Sequence, residues 1–283
     1  MNDQLDMPHL RQWIGREDIA EDILTPSLVE KFNATLGLPG HDVQSGDTAP
    51  RLIHFCLCQP AVPMAALGDD GHPSRGGFLP PVPLPRRMWA GSEIAFEREL
   101  RVGDTIRRQS RVADVAAKTG RSGTLCFVTV DHEISAASGV AVTERQTLVY
   151  RAESGTSQVA PAPEPAPAGV TVEKVDICPV LLFRYSALTF NGHRIHYDRP
   201  YAMTEEGYPG LVVHGPLQAS LLIHLAARCH GGSPPARFAF RGVSPAFDGQ
   251  PLGLNAGRVA ADELELWTAS IGGPVAMRAM ARW

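Results

Sequence analysis

The sequence predicts an α+β protein built from two similar halves, each with helical segments followed by a run of antiparallel strands. The order of helical and alternating segments occurs twice along the chain, which favours two copies of one plan. The 283 residues, 44% of them hydrophobic and 20% charged, provide apolar material for one large domain or two ordinary ones. We therefore expect helices laid against strongly bent antiparallel sheets.

A segment rich in proline, alanine and serine divides the chain. Residues 154–169 read SGTSQVAPAPEPAPAG and show no apolar period, so they cannot bury a core. We interpret this segment as a linker between an N-terminal half, residues 1–153, and a C-terminal half, residues 170–283.

The first half opens with a helix signal. Thr25 can cap a helix that starts at Pro26 and continues to Leu36 with apolar residues on one face. An apolar run at residues 51–57 and a loop rich in proline and glycine at residues 68–85 follow. Alternation of apolar and polar residues then predicts four strands, which cover residues 94–100, 112–115, 124–134 and 140–150.

The second half follows the same plan. A helix is predicted over residues 179–188, and after an irregular loop a strongly apolar helix is predicted over residues 215–230. Four short strands are predicted after it, at residues 236–243, 252–259, 264–271 and 275–281.

Composition and charge exclude several classes of function. The formal net charge of −4 comes without any dense run of Lys and Arg, which a nucleic-acid partner would require. No apolar stretch is long enough to span a bilayer, and the N-terminus does not resemble an export signal. The five cysteines lack the spacing of a metal site. We expect a cytoplasmic protein with free thiols and no metal, nucleic-acid or membrane partner.

The densest group of titratable side chains lies between Asn191 and Asp198, NGHRIHYD, in a loop entered through an Asn-Gly turn signal. Further along the chain, His214 and Gly215 open the apolar helix. The backbone N–H of Gly215 would lie at the positive end of that helix, where it can stabilise a developing oxyanion. A histidine such as His196 can move protons at neutral pH. Together these groups suit enolate chemistry beside a thioester carbonyl.

The stretch from Tyr185 to Ser220 resembles the R-specific enoyl-CoA hydratase (hydratase 2, MaoC-like) family. The family pattern has an Asp, a His five positions on, then Asp-x-x-x-Ala and later His-Gly. Here the corresponding residues are Asn191, His196, the run from Asp198 to Ala202, and His214-Gly215. The two-halved layout is similar to the double hot-dog branch of the family. Within that branch, the residue sequence of this stretch resembles those of mesaconyl-C4-CoA and itaconyl-CoA hydratases and of hydroxyacyl-thioester dehydratases type 2.

The resemblance implies a cofactor-independent hydro-lyase that hydrates a short branched or dicarboxylic enoyl-CoA. His196 would be the acid–base residue, and the Gly215 N–H would form the oxyanion hole. Asn191 stands where the family has its catalytic Asp, and an amide can only orient water or His196. On this interpretation the N-terminal half has lost its catalytic activity and accommodates the acyl group and the pantetheine arm. The residues expected to contact substrate are Arg86, Arg87, Trp89, Arg184, Tyr185, His193, Arg194 and His214.

Simpler interpretations stand beside these. His196 could be a structural histidine, and Asp198 is better explained as the N-cap of a short helix than as a second acid. Arg184 or Arg194 could hold a substrate carboxylate or form a salt bridge instead. Alternative functions are a dehydratase of 3-hydroxyacyl thioesters on acyl carrier protein or CoA, a thioesterase, and a non-catalytic acyl-thioester binding protein. Two fused hot-dogs are compatible with a monomer or with a homodimer of such units.

Overall fold

A computed structural model describes residues 5–40, 42–120, 123–152 and 164–283. Its centre is one ten-stranded antiparallel sheet in the order β1-β3-β4-β5-β2-β7-β10-β9-β8-β6. The strands are β1 Glu17–Ile23, β2 Arg86–Phe96, β3 Thr105–Gly120, β4 Gly123–Ala136, β5 Gly139–Arg151, β6 Thr171–Asp176, β7 Arg237–Gly242, β8 Pro251–Ala260, β9 Glu263–Ser270 and β10 Val275–Arg282. The helices are α1 Met7–Leu10, α2 Pro26–Leu36, α3 Pro179–Leu188, α4 Arg199–Thr204 and α5 Gly215–Cys229.

The two halves join through the pairing of β2 with β7. Residues 91–95 of β2 pair with residues 237–241 of β7, so the sheet runs without a break from one half into the other. A β-carbon on Gly91 would lie 2.2 Å from the carbonyl oxygen of Phe240, so only glycine permits this approach. A register shift in the pairing of β2 with β5 lies between Trp89 and Gly91, at the edge of the cavity described below.

Helix α5 is the central helix of the second half. Pro216 suits its first turn, and nine of its residues are buried against the sheet. These are Leu217, Gln218, Ala219, Ser220, Leu221, Leu222, Ile223, Leu225 and Ala226.

The described part of the first half contains no helix of comparable length. Helix α2, capped by Thr25, packs against α3 of the other half. The apolar run predicted at residues 51–57 contains a short 3-10 turn, Ile53–Cys56. The two halves are therefore unequal copies of the predicted plan.

Most predicted elements are present, with three differences. Strand β2 ends at Phe96 and extends back to Arg86, so the prediction of strand over residues 97–100 was wrong. Edge strands β1 and β6 were not predicted, because their exposed acidic and basic residues obscure the apolar alternation. Residues 154–163 of the predicted linker lie outside the described residues. No helix in the described ranges is long and apolar enough to cross a membrane.

Candidate active site

The predicted loop after α3 folds back tightly on that helix. The backbone N–H of Asn191 donates to the carbonyl of Ser186, 2.8 Å away. The side-chain oxygen of Asn191 accepts the backbone N–H of His193 at 3.0 Å. The chain then makes a 3-10 turn, Arg194–His196, before α4, whose N-cap is Asp198 as predicted. Asn191 therefore shapes the loop through its side-chain oxygen.

His196 is buried at the end of this 3-10 turn, with 7% of its surface exposed. Its Nδ1 lies 2.8 Å from the carbonyl oxygen of Val212. Because a carbonyl only accepts, Nδ1 carries the proton of the neutral ring and Nε2 presents a lone pair. Burial lowers the pKa of His196 to about 4, against the opposing effect of the Val212 hydrogen bond. The ring is thus a neutral base at physiological pH.

The N-terminus of α5 lies directly beside His196. The ring of His214 stacks on the ring of His196 with centroids 3.7 Å apart, and its Nε2 is 2.9 Å from the hydroxyl of Ser186. Burial holds the pKa of His214 well below its ordinary range, so this ring is also neutral. Gly215 follows at the first position of the helix, and Pro216 after it has no N–H. At this position the Gly215 N–H has no acceptor within the helix, and its role towards an oxyanion near His196 stays a prediction.

A second loop, the start of the loop predicted at residues 68–85 of the first half, reaches the same place, and this position at the site was not predicted. Within residues 68–72, the Nδ1 atom of His72 lies 3.0 Å from Oδ2 of Asp70, and the His72 backbone N–H donates to Oδ1 of Asp70 at 2.9 Å. The ring of His72 lies against the ring of His193, with centroids 4.1 Å apart. His193 in turn meets His196 edge-on at 5.4 Å.

The electrostatics of this loop favour a charged carboxylate and neutral imidazoles. Burial alone would raise the pKa of Asp70, but hydrogen bonds from His72 outweigh it and bring this pKa well below its ordinary value. Burial lowers the pKa of His72, with Asp70 opposing and Arg87 assisting. Burial and the neighbouring imidazoles strongly lower the pKa of His193.

Asp70, His72 and His193 also bring three possible metal-ligand atoms within 4.8 Å of one another. The carboxylate is already paired with Nδ1 of His72. This hydrogen bond makes Asp70 and His72 a carboxylate–imidazole pair whose remaining ring nitrogen is Nε2.

These groups open into one cavity of about 1640 Å³, lined by both halves. Its apolar wall includes Phe55 and Trp89, whose rings are 5.0 Å apart, and Met277. The wall from the sheet of the first half is polar and includes Arg108, Ser110, His132, Glu144 and Gln146. Such a volume suits a large ligand with an extended arm and a compact polar end.

Six of the eight predicted substrate-binding residues line the cavity: Arg87, Trp89, Tyr185, His193, Arg194 and His214. Tyr185 is fully buried, and its ring centroid lies 5.1 Å from that of His214.

Three of the predicted arginines have positions or contacts that bear on this role. Arg184 is exposed on α3 and lies outside the cavity lining. Arg86 forms an ion pair with Glu206 at 3.4 Å and thereby ties the halves together. Arg194 lines the cavity, but its guanidinium is held by Asp198 at 2.7 Å, the salt bridge considered as the alternative for this residue.

By sequence, the chain is similar to hydratases and dehydratases of acyl thioesters. The family model described as hydroxyacyl-thioester dehydratase type 2 matches residues 49–248. The chain is 45% identical over 269 residues to mesaconyl-C(4)-CoA hydratase of Chloroflexus aurantiacus, covering 94% of this chain and 95% of that protein. It is 28% identical over 269 residues to the mitochondrial hydroxyacyl-thioester dehydratase type 2 of Schizosaccharomyces pombe, covering 83% of this chain and 88% of the other.

Solved structures show the same fold at low sequence identity. A MaoC-like dehydratase from Phytophthora capsici superposes with a TM-score of 0.71 at 14% identity, covering 99% of both chains. HtdX of Mycobacterium tuberculosis gives a TM-score of 0.67 at 20% identity, covering 94% of this chain and 98% of that one. A M. tuberculosis protein described as a double hot-dog gives 0.57 at 15% identity, covering 95% and 96%. The predicted α+β double hot-dog fold is confirmed.

Proposed function

Since the chain belongs to the hydroxyacyl-thioester dehydratase type 2 family, we propose that it is a hydro-lyase that reversibly hydrates a short enoyl-CoA. The acyl group would be branched and dicarboxylic, of the mesaconyl or itaconyl kind, giving a citramalyl-CoA-like product. The observation that carries this proposal is the 45% identity to a mesaconyl-C(4)-CoA hydratase over 94% of the chain. The neutral His196 beside the free N–H of Gly215 supplies a chemistry consistent with it.

The mechanism follows from the two groups at the end of α5. Nε2 of His196 accepts a proton from water while the water oxygen bonds to the β-carbon of the enoyl thioester. The electron pair of the double bond moves to the thioester oxygen, where the Gly215 N–H stabilises the enolate. The imidazolium then returns its proton to the α-carbon and the carbonyl reforms. No cofactor is required, because the thioester itself stabilises the enolate.

The lining of the cavity is consistent with an acyl group that carries a free carboxylate. Arg194 is occupied by Asp198, and Arg184 lies outside the cavity lining. Arg87 lines the cavity close enough to His72 and His193 to lower both their pKa values. We therefore assign the carboxylate to Arg87, whose planar fork suits such a group.

A second candidate keeps the chemistry and reverses its direction. The family description and the S. pombe relative both name hydroxyacyl-thioester dehydratases, so dehydration of a 3-hydroxyacyl thioester on CoA or acyl carrier protein is the alternative. The formal net charge of −4 offers little attraction to an acidic carrier protein, and we favour CoA. A cytoplasmic location and a homodimer of double hot-dog units stay predictions.

The test is a hydration assay that follows the enoyl absorbance with crotonyl-CoA, mesaconyl-C4-CoA and itaconyl-CoA side by side, together with a thiol reagent for released CoA. We expect hydration of a dicarboxylic substrate, and a loss of about 10²- to 10⁴-fold in kcat for His196→Gln. The exposed His9→Gln serves as the matched control. CoA release without hydration would indicate a thioesterase, and absence of turnover would indicate a binding protein.

A further inference from the structure

We propose that His72, oriented by Asp70, holds the attacking water together with His196. The first half would thus supply a group that takes the place of the family's catalytic Asp, which is replaced by Asn191 in this chain. This inference rests on the proposed hydration reaction and adds a residue to it. Its starting point is the carboxylate–imidazole pair in the loop of residues 68–72, which lines the same cavity as His196 and belongs to the half expected to have lost its chemistry.

The loop is fixed against the catalytic loop at close range. A β-carbon on Gly71 would lie 1.9 Å from the carbonyl oxygen of Gly192, so the two backbones touch where neither has a side chain. The backbone N–H of Arg194 donates to the carbonyl of Asp70 at 2.9 Å, and Nη1 of Arg194 donates to the carbonyl of Asp69 at 3.0 Å. These contacts set the position of His72 relative to the loop that carries His196.

The hydrogen bonds between the two loops use the backbone carbonyls of Asp69 and Asp70, so they do not account for the Asp70 carboxylate or the His72 ring. A carboxylate and an imidazole that only filled space would cost desolvation that apolar residues avoid. The hydrogen bond to Asp70 instead places the ring proton of His72 on Nδ1, because an ionised carboxylate can only accept. Nε2 then carries a lone pair, as it does in His196.

The Nε2 lone pairs of His196 and His72 can accept hydrogen bonds from the two hydrogens of one water molecule. One hydrogen of the water points to Nε2 of His196 and is transferred when the oxygen attacks the β-carbon. The other hydrogen bonds to Nε2 of His72 and stays with the oxygen, becoming the hydroxyl proton of the product. The ring of His193 contacts both, with its centroid 4.1 Å from that of His72 and 5.4 Å from that of His196, so the two rings lie in the same part of the cavity. Holding the water in this orientation lowers the entropic barrier to attack.

The experiment measures kcat and KM for the hydrated substrate in four variants of the full chain. His72→Ala removes the acceptor, and Asp70→Asn removes the group that fixes the tautomer. His72→Gln keeps an oxygen acceptor at similar reach, and Asp262→Asn, which removes an exposed carboxylate outside the cavity lining, is the matched control. We expect kcat to fall about 10²-fold for His72→Ala and less for His72→Gln, with KM changed little, because oriented water contributes to the transition state.

A fifth variant separates chemistry from loop support. Adding Asn191→Asp to His72→Ala places a carboxylate where the family pattern has one, and we expect it to restore part of the lost kcat. Unchanged kcat in His72→Ala and Asp70→Asn would overturn the proposal, as would a loss that Asn191→Asp does not restore. If the unsubstituted chain hydrates no enoyl-CoA, the proposed function itself has failed; hydration that is insensitive to His72 defeats only this inference.

Discussion

At the scale of single residues, the site depends on which nitrogen of each ring carries the proton. His196 donates Nδ1–H to the carbonyl of Val212, and His72 donates Nδ1–H to Asp70. Because both acceptors fix the proton on Nδ1, each ring keeps a basic lone pair on Nε2. A buried ring without such a partner would have no fixed tautomer, and the geometry for accepting a proton from water would be lost.

The pH dependence of turnover should report the state of His196. With a pKa of about 4, the ring is mostly neutral from about pH 5 upward and can accept a proton only in that form. The surrounding titratable groups are His72, His193 and His214, whose pKa values are also lowered. We expect kcat/KM to fall on the acid side with a midpoint near pH 4. A midpoint near the ordinary value of 6.5 would contradict a buried neutral base.

Asn191→Asp is expected to leave turnover within about threefold of the unsubstituted chain, a change of ~0.7 kcal/mol in activation free energy. The new carboxylate can still accept the N–H of His193, so the loop keeps its shape. Steady-state kinetics with circular dichroism as a folding check would measure this. A loss of more than about tenfold (~1.4 kcal/mol) in a folded variant would show that the amide nitrogen of Asn191 is required.

At the scale of elements, the contact between two loops decides the geometry of the site. The loop of residues 68–72 and the loop that starts at Asn191 belong to different halves, and they touch through the backbones of Gly71 and Gly192. Each loop has its own internal hydrogen bonds, such as Gly68 N–H to the His72 carbonyl at 2.7 Å. The relative position of Asp70 and His196 is therefore set by how closely these two loops approach.

Gly71→Ala should separate the two loops. The added carbon would lie 1.9 Å from the carbonyl oxygen of Gly192, and Gly71 has a φ of +85° that disfavours any side chain. Gly76→Ala is the matched control, because its φ is +87° but its nearest neighbour would be 3.6 Å away.

We expect both variants to lose about 1 to 2 kcal/mol in the free energy of unfolding from backbone strain, and Gly71→Ala to lose more because of the clash. Only Gly71→Ala should lose most of its kcat. Chemical denaturation and kinetics measure the two effects, and equal kcat in both variants would speak against loop contact as a requirement.

The sequence allowed prediction of elements with a local signal. Helix α2 was predicted from Thr25 and Pro26, and the loop of residues 191–198 was predicted from its Asn-Gly turn signal. The role of Asp70 and His72 could not be predicted, because their partners lie more than a hundred positions away and three residues in a glycine-rich loop have no characteristic spacing. The Asp-Gly-His sequence before Pro73 was the available signal, since a glycine between two titratable residues marks a turn.

At the scale of the whole molecule, neutral buried imidazoles make stability depend on pH. His196 and His224 each have a pKa of about 4 in the folded chain, mainly because of burial, against an ordinary value of 6.5. Between pH 6.5 and pH 4 the unfolded chain binds more protons than the folded one, so stability is present above this window and is lost as pH falls through it.

His224→Gln tests this pH dependence of stability without changing a residue of the candidate active site, because His224 lies on α5 with its ring near Phe32. We expect the unfolding free energy of the unsubstituted chain to fall steeply between pH 7 and pH 4, and less steeply in the variant, on the order of 1.4 kcal/mol per unit of pKa shift. The exposed His9→Gln should retain the full slope. Urea denaturation at several pH values measures it, and parallel curves for all three chains would refute the explanation.

The unequal halves of the sheet also determine the stoichiometry of the enzyme. A symmetric pair of hot-dogs would carry two equivalent sites, whereas here the described residues of the first half contain no helix as long as α5 and contribute His72 and Trp89 to the cavity that His196 lines. We therefore expect one chain to bind one equivalent of substrate. On that expectation, any cooperativity between substrate molecules would have to pass from one chain to another.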